Sequence, residues 1–316
     1  QEDIPALQAA ARSFMRQGDF ENALQALGKA LKQDSANYEL RKDEMYVYYM
    51  QRDFTKAMES GKLITARADA DEQSFILLGL VYKSIADYKE ADKLYKAALK
   101  KFPESGLLYA EYGDLLQQNR NEDAAIKLWE KGIETDANIS SNYYYAAKYY
   151  SEKNNLIWAM LYGEIFVNIE SLTQRTAEIK SLVYKNYQAY FNSEKNINPK
   201  APAFEKGVMV QYNKLANLVS ASSPDPLAFT ELRTRFILNW YDTDAGNQYP
   251  YRLFALHRQL LQDGYFEAYN QWLFGAAADS KKFNEWMNGH AETVKEFQRF
   301  QTNVLFKIPA GQYYAH

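Results

Sequence analysis

Five alanines stand 34 residues apart: Ala23, Ala57, Ala91, Ala125 and Ala159. Each closes a related hexapeptide: Gly18-Asp19-Phe20-Glu21-Asn22-Ala23, Arg52-Asp53-Phe54-Thr55-Lys56-Ala57, Ala86-Asp87-Tyr88-Lys89-Glu90-Ala91, Arg120-Asn121-Glu122-Asp123-Ala124-Ala125 and Asn154-Asn155-Leu156-Ile157-Trp158-Ala159. A fixed period of this length marks stacked supersecondary units. One such unit cannot bury its apolar face alone, so each must pack on its neighbours. This restricts the first half of the chain to an array.

Residues 72–105 show what the unit is. Phe75, Leu78, Gly79 and Tyr82 recur at helical spacing on one face. The small residues Gly79, Ala91 and Ala98 permit a close approach of two helices, and Tyr82 and Tyr95 fill the space beside them. Pro103 lacks an amide hydrogen and stops the second helix. The polar positions Asp19, Asp53 and Asp87, with Gly18, suit the short turns between helices.

On these residues the segment from 4 to about 173 resembles the tetratricopeptide repeat, a 34-residue helix–turn–helix unit. The copies are 4–37, 38–71, 72–105, 106–139 and 140–173. The third fits best; the second departs most, with Arg41 and Glu44 where bulky apolar residues are usual. The resemblance implies an all-α fold: a right-handed superhelix of about five hairpins with a concave inner wall. An amphipathic helix over 174–192, with Leu182, Val183, Tyr184, Tyr187 and Tyr190, is expected to cap the stack, giving an array over 1–195.

The resemblance also implies a site, because repeats of this class bind partners along the inner face of their first helices. The corresponding positions here include Arg12, Lys42, Tyr46, Tyr49, Ile76, Leu80, Lys83, Leu107, Asp114, Tyr144 and Lys148. Positions that in some relatives clamp a peptide's terminal carboxylate carry Gln8, Arg12 and Asp43, then Gln73 and Leu77, so that clamp is absent. The wall is partly apolar, through Tyr46, Tyr49, Ile76, Leu80, Leu107 and Tyr144. A contiguous apolar patch is a contact surface. Its occupant is expected to be a partner segment or part of the chain's own C-terminal region.

Residues 196–316 differ in character. Five of the eight prolines fall between 196 and 250. Residues 196–202 read as a linker and 220–226 as a loop. Helices are then expected over 203–219, 226–241, 251–263, 265–276 and 280–305, making a smaller helical domain. In the last, Phe283, Trp286, Met287, Val294, Phe297, Phe300 and Val304 form a stripe. Gly264-Tyr265-Phe266-Glu267-Ala268 resembles a repeat turn out of phase, so 249–282 reads as a degenerate hairpin. Trp240, Tyr241, Tyr249, Tyr251, Tyr265, Tyr269 and Trp272 crowd this region, as core or as an aromatic ligand pocket.

Composition narrows the function. The chain has 316 residues and a net charge of −3, which argues against nucleic-acid binding by phosphate neutralisation. No apolar run approaches the ~18 residues of a membrane span. With no Cys, there is no disulfide, thiolate metal site or Cys nucleophile. The only histidines are His257, His290 and His316, without metal-ligand spacing. His257 reads as a structural histidine, and 242–247 as a polar turn that lacks the ligands of a calcium loop. No catalytic, cofactor or metal site is expected. The start Gln1-Glu2-Asp3 suggests an exported protein after signal-peptide removal, with a cytoplasmic location as the alternative. The leading reading is a non-enzymatic scaffold that binds a protein or peptide. A second is a small-molecule or glycan-related accessory protein of the cell envelope using the aromatic C-terminal region; a third is an enzyme with paired carboxylates. The oligomeric state is open.

Overall fold

The computed structural model describes residues 3–193, 197–219 and 225–315. The expected linker and loop, the N-terminal dipeptide Gln1-Glu2 and His316 therefore lie wholly or partly outside the described residues. Every regular element among the described residues is helical. No helix among them is long and apolar enough to cross a membrane.

The chain divides into two compact units, Gln1–Ala125 and Ile126–His316. The first contains α1 (Ile4–Gln17), α2 (Phe20–Gln33), α3 (Tyr38–Met50), α4 (Phe54–Thr65), α5 (Glu72–Ser84), α6 (Tyr88–Lys101) and α7 (Gly106–Gln118), and α8 (Glu122–Thr135) begins there. Each helix packs on the next from α1 to α7. The odd-numbered helices also pack on one another, so first helices form one layer and second helices the other.

Local chemistry explains the regular spacing. Asp19, Asp53 and Asp87 are N-caps, their carboxylates accepting from the backbone N–H of Asn22, Lys56 and Glu90. The residue before each cap is left-handed: Gly18, Arg52 and Ala86 have φ of 74°, 61° and 57°. Close approach fixes the rest. Ala91, Ala98 and Tyr95 have no exposed surface. A Cβ on Gly79 would overlap the Tyr95 ring, so only glycine admits that ring.

The second unit continues with α9 (Ser140–Glu152), α10 (Leu156–Ile169) and α11 (Gln174–Asn192). First helices thus begin at 4, 38, 72, 106, 140 and 174, always 34 apart. α11 takes a sixth first-helix position. Its expected role as a terminal cap needs correction: Tyr187 and Phe191 pack on Tyr212 and Phe229, so further helices cover it.

Those helices are α12 (Ala203–Lys214), α13 (Pro226–Asp242), α14 (Ala245–Gln248), α15 (Arg252–Gln262), α16 (Phe266–Asn270), α17 (Ala276–Ala278), α18 (Ser280–Gly289) and α19 (Ala291–Asn303). Three expectations change. The helix expected over 203–219 ends at Lys214 and is followed by a short 3-10 turn. A π turn, Gln271–Gly275, interrupts the helix expected over 265–276. The helix expected over 280–305 breaks at Gly289-His290, where His290 leaves the helical region and its ring stacks on Trp286 at 4.5 Å. The α15–α16 turn does repeat the array's geometry: Gly264 has φ 78°, and Tyr265 N–H donates to the Leu260 carbonyl at 2.8 Å.

A buried polar cluster explains why 126–195 and the C-terminal helices form one compact unit instead of parting near 196. Glu164 of α10 accepts hydrogen bonds from Arg233 of α13, from His257 of α15 (2.7 Å) and from Tyr269 of α16 (2.7 Å). Arg233 also donates to Asn270 and lies over the rings of Tyr187, Phe266, Tyr269 and Phe274. Burial pushes the Glu164 carboxyl up, but Arg233 and His257 outweigh it and hold the pKa at about 2. Burial lowers the His257 pKa against the pull of Glu164. His257 is therefore a buried packing residue with a fixed hydrogen-bond partner. After α19 the tail returns to the repeats, where Ile308 and Asn138 exchange two hydrogen bonds, and then to the start of α15, where Tyr314 donates to the Pro250 carbonyl.

Candidate binding face on the first helices

The inner-wall residues of the first unit lie on α1, α3, α5 and α7, the layer of first helices. Their charged members turn toward one another. Arg12 donates to Asp43 (2.8 Å) and Glu39 (3.2 Å), and Gln8 donates to the same Asp43 oxygen at 2.8 Å. Lys42 reaches Glu39 at 3.1 Å and Asp71 at 2.8 Å. Asp71 also caps α5 and accepts from the Tyr38 hydroxyl at 2.7 Å. Burial raises the Asp71 pKa, but Lys42, Tyr38 and Ser74 together bring it down to about 2. Lys83 donates to Glu111 at 2.5 Å and Asp114 at 2.8 Å. Burial lowers the Lys83 pKa, and the two carboxylates more than offset it, so the amine stays charged.

Within the second unit the same rung recurs from α9 to α11. Lys148 donates to Glu178 at 2.7 Å, and the Tyr144 hydroxyl donates to the other oxygen at 2.8 Å. The inner-wall cations thus cross-link successive first helices. Arg12 with Asp43, Lys42 with Asp71, Lys83 with Asp114 and Lys148 with Glu178 are 29 to 31 residues apart. That offset is one repeat less a helical turn. Periodicity singled out the cations with Asp43 and Asp114, and missed the acids Asp71, Glu111 and Glu178.

The apolar members behave differently. Tyr46 is 38% exposed, and Ile76, Leu80 and Leu107 are half-buried. Tyr46 and Leu80 hold the same position of successive repeats. Tyr49 instead packs its ring against Phe54 of α4 at 6.1 Å. Met50 of α3, which the sequence reasoning passed over, is 43% exposed. The face therefore offers apolar side chains between internally neutralised charges. Such a surface can take up apolar side chains. Among the described residues no cluster of three His, Cys, Asp or Glu could hold a metal.

A family model, the tetratricopeptide repeat, matches residues 9–72 and 76–138. Residues 9–138 thus form tetratricopeptide repeats. Human tetratricopeptide repeat protein 21B is 28% identical over 134 residues, 42% of this chain and 10% of that protein. The chain thus spans about a tenth of the length of this curated relative. Among solved structures, pilF of Pseudomonas aeruginosa matches with a TM-score of 0.52 at 17% identity, over 59% of this chain and 84% of that one. PilW, a type IV pilus biogenesis factor, matches with a TM-score of 0.50 at 17% identity, over 67% of this chain and 93% of that one. At such identity these likenesses show the shared helical-repeat fold. A repeat array of this family is in general a protein-interaction scaffold.

Proposed function

We propose that this protein is a non-enzymatic scaffold whose first-helix face in residues 4–118 binds an extended, largely apolar peptide segment of a partner protein. The observation that supports this most is the half-exposed set Tyr46, Ile76, Leu80 and Leu107 on a face whose cations Arg12, Lys42 and Lys83 are already paired. Paired cations favour no highly acidic ligand, because an incoming carboxylate would have to displace one already in place. Exposed apolar side chains gain from being covered, at about 25 cal/mol per Å².

Panning a random-peptide display library against the full chain tests this. Apolar-rich peptides should be enriched. Tyr46→Ala with Leu80→Ala should weaken them by about tenfold or more, since each removes a contact worth roughly 1 kcal/mol. The double variant should still unfold cooperatively. No enrichment, or equal binding to the variant, would overturn the assignment.

A further inference from the structure

The second unit contains a groove that the array does not use. The hairpin α18–α19 covers α16 and the π turn incompletely. Phe297 is buried, but Phe283, Trp286, Met287 and Val294 remain half-exposed. They border a space of about 420 Å³, together with Trp272 and Leu172. Leu172 at the rim is 96% exposed. A second lobe of about 330 Å³ shares Ser171, Trp272 and Phe283 with the first and is lined also by Lys180 of α11. Both volumes are on the scale of small-ligand sites.

Lys180 sets the chemistry. Its Nζ stands 3.6 Å from the centroid of the Trp272 ring, which offers it a π face. Lys42, Lys83 and Lys148, all partly shielded, each reach a carboxylate. Lys180 has no ion-pair partner among the described residues. Burial without that compensation lowers its pKa to about 7. In the larger lobe the Trp286 indole N–H is committed, donating to Glu267 at 3.0 Å, and the Thr302 hydroxyl donates to the Gln298 carbonyl at 2.9 Å. Trp272 is on the π turn, an irregularity common at functional sites.

We propose that this groove binds an amphiphilic monoanion, an aliphatic chain ending in a carboxylate. The chain fills the larger lobe against Trp286, Met287 and Val294. The carboxylate sits in the smaller lobe on Lys180 and, as an adjacent opposite charge, holds its amine in the protonated form. One unpaired cation at the end of one apolar lobe matches one head group and one tail. A docked partner helix would instead leave Lys180 unanswered unless it placed an acid there.

Sodium decanoate and 1-decanol, titrated into the full chain and followed by tryptophan fluorescence and calorimetry, test this. Decanoate should bind saturably and about tenfold tighter than decanol, the value of one charge-assisted contact. Lys180→Met should bring decanoate down to the decanol level and leave decanol unchanged. Absence of saturable binding, or equal decanoate affinity in wild type and Lys180→Met, would overturn the proposal. Should Lys180→Met not fold, Leu172→Asp at the exposed rim decides: several-fold weaker decanoate binding supports the site, and unchanged affinity overturns it. Tyr46→Ala with Leu80→Ala should leave decanoate binding intact, which separates this groove from the first-helix face.

Discussion

Gly18, Arg52, Ala86, Arg120 and Asn154 share one backbone conformation, with φ between 57° and 74°. The left-handed region costs an L-residue about 1 kcal/mol or more and glycine little. A Cβ on Gly18 would meet nothing within 4 Å, so Gly18→Ala should isolate that cost. We expect Gly18→Ala to lower unfolding free energy by ~1 kcal/mol, and Ala86→Gly to raise it by up to ~1 kcal/mol. Chemical denaturation of the two variants checks both signs; an Ala86→Gly variant that loses stability would contradict the turn assignment. Gly18 was legible as a turn residue because glycine advertises the conformation. Arg52, Ala86 and Arg120 were legible only through the period, since nothing in their own chemistry favours it. The pairing of Arg12, Lys42, Lys83 and Lys148 was hidden for a related reason. Register places a side chain on a face, but its partner lies one repeat away.

At the scale of elements, the cluster of Glu164, Arg233, His257, Tyr269 and Asn270 joins α10 to α13, α15 and α16. None of its spacings is periodic, and its members lie up to 106 residues apart in sequence, from Glu164 to Asn270. Sequence could identify His257 as structural but not what would satisfy it. Arg233→Met would leave Glu164 buried without its cation and should cost about 3–5 kcal/mol at neutral pH. The pH dependence has a definite sign. Glu164 titrates at about 2 when folded, below its ordinary 4.5, so its contribution is complete above pH 4.5 and lost as pH falls through 2. The deficit of Arg233→Met should therefore shrink as pH falls below 4.5. Denaturation curves at pH 7 and pH 3 check this, and an equal deficit at both would contradict it. The break at Gly289-His290 was masked because the apolar stripe from Phe283 to Val304 holds helical spacing across it.

For the whole molecule, the array was legible almost helix by helix, because a 34-residue period fixes where every first and second helix begins. The organisation after residue 196 was not. It depends on which faces the C-terminal helices bury, and they bury them on α10 and α11. The aromatic crowd divides in the same way: Trp240, Tyr251 and Tyr269 are core, whereas Trp272 lines the groove beside Lys180. Whether a partner segment lies on the first-helix face is decided by site-specific photo-crosslinking of a selected peptide. Benzophenone side chains would be placed on that face at Tyr46, Leu80 and Leu107, and on the second helices at the exposed Leu63 and Lys93. Peptide adducts are expected from Tyr46, Leu80 and Leu107 and none from Leu63 or Lys93. Adducts confined to Leu63 and Lys93 would contradict it.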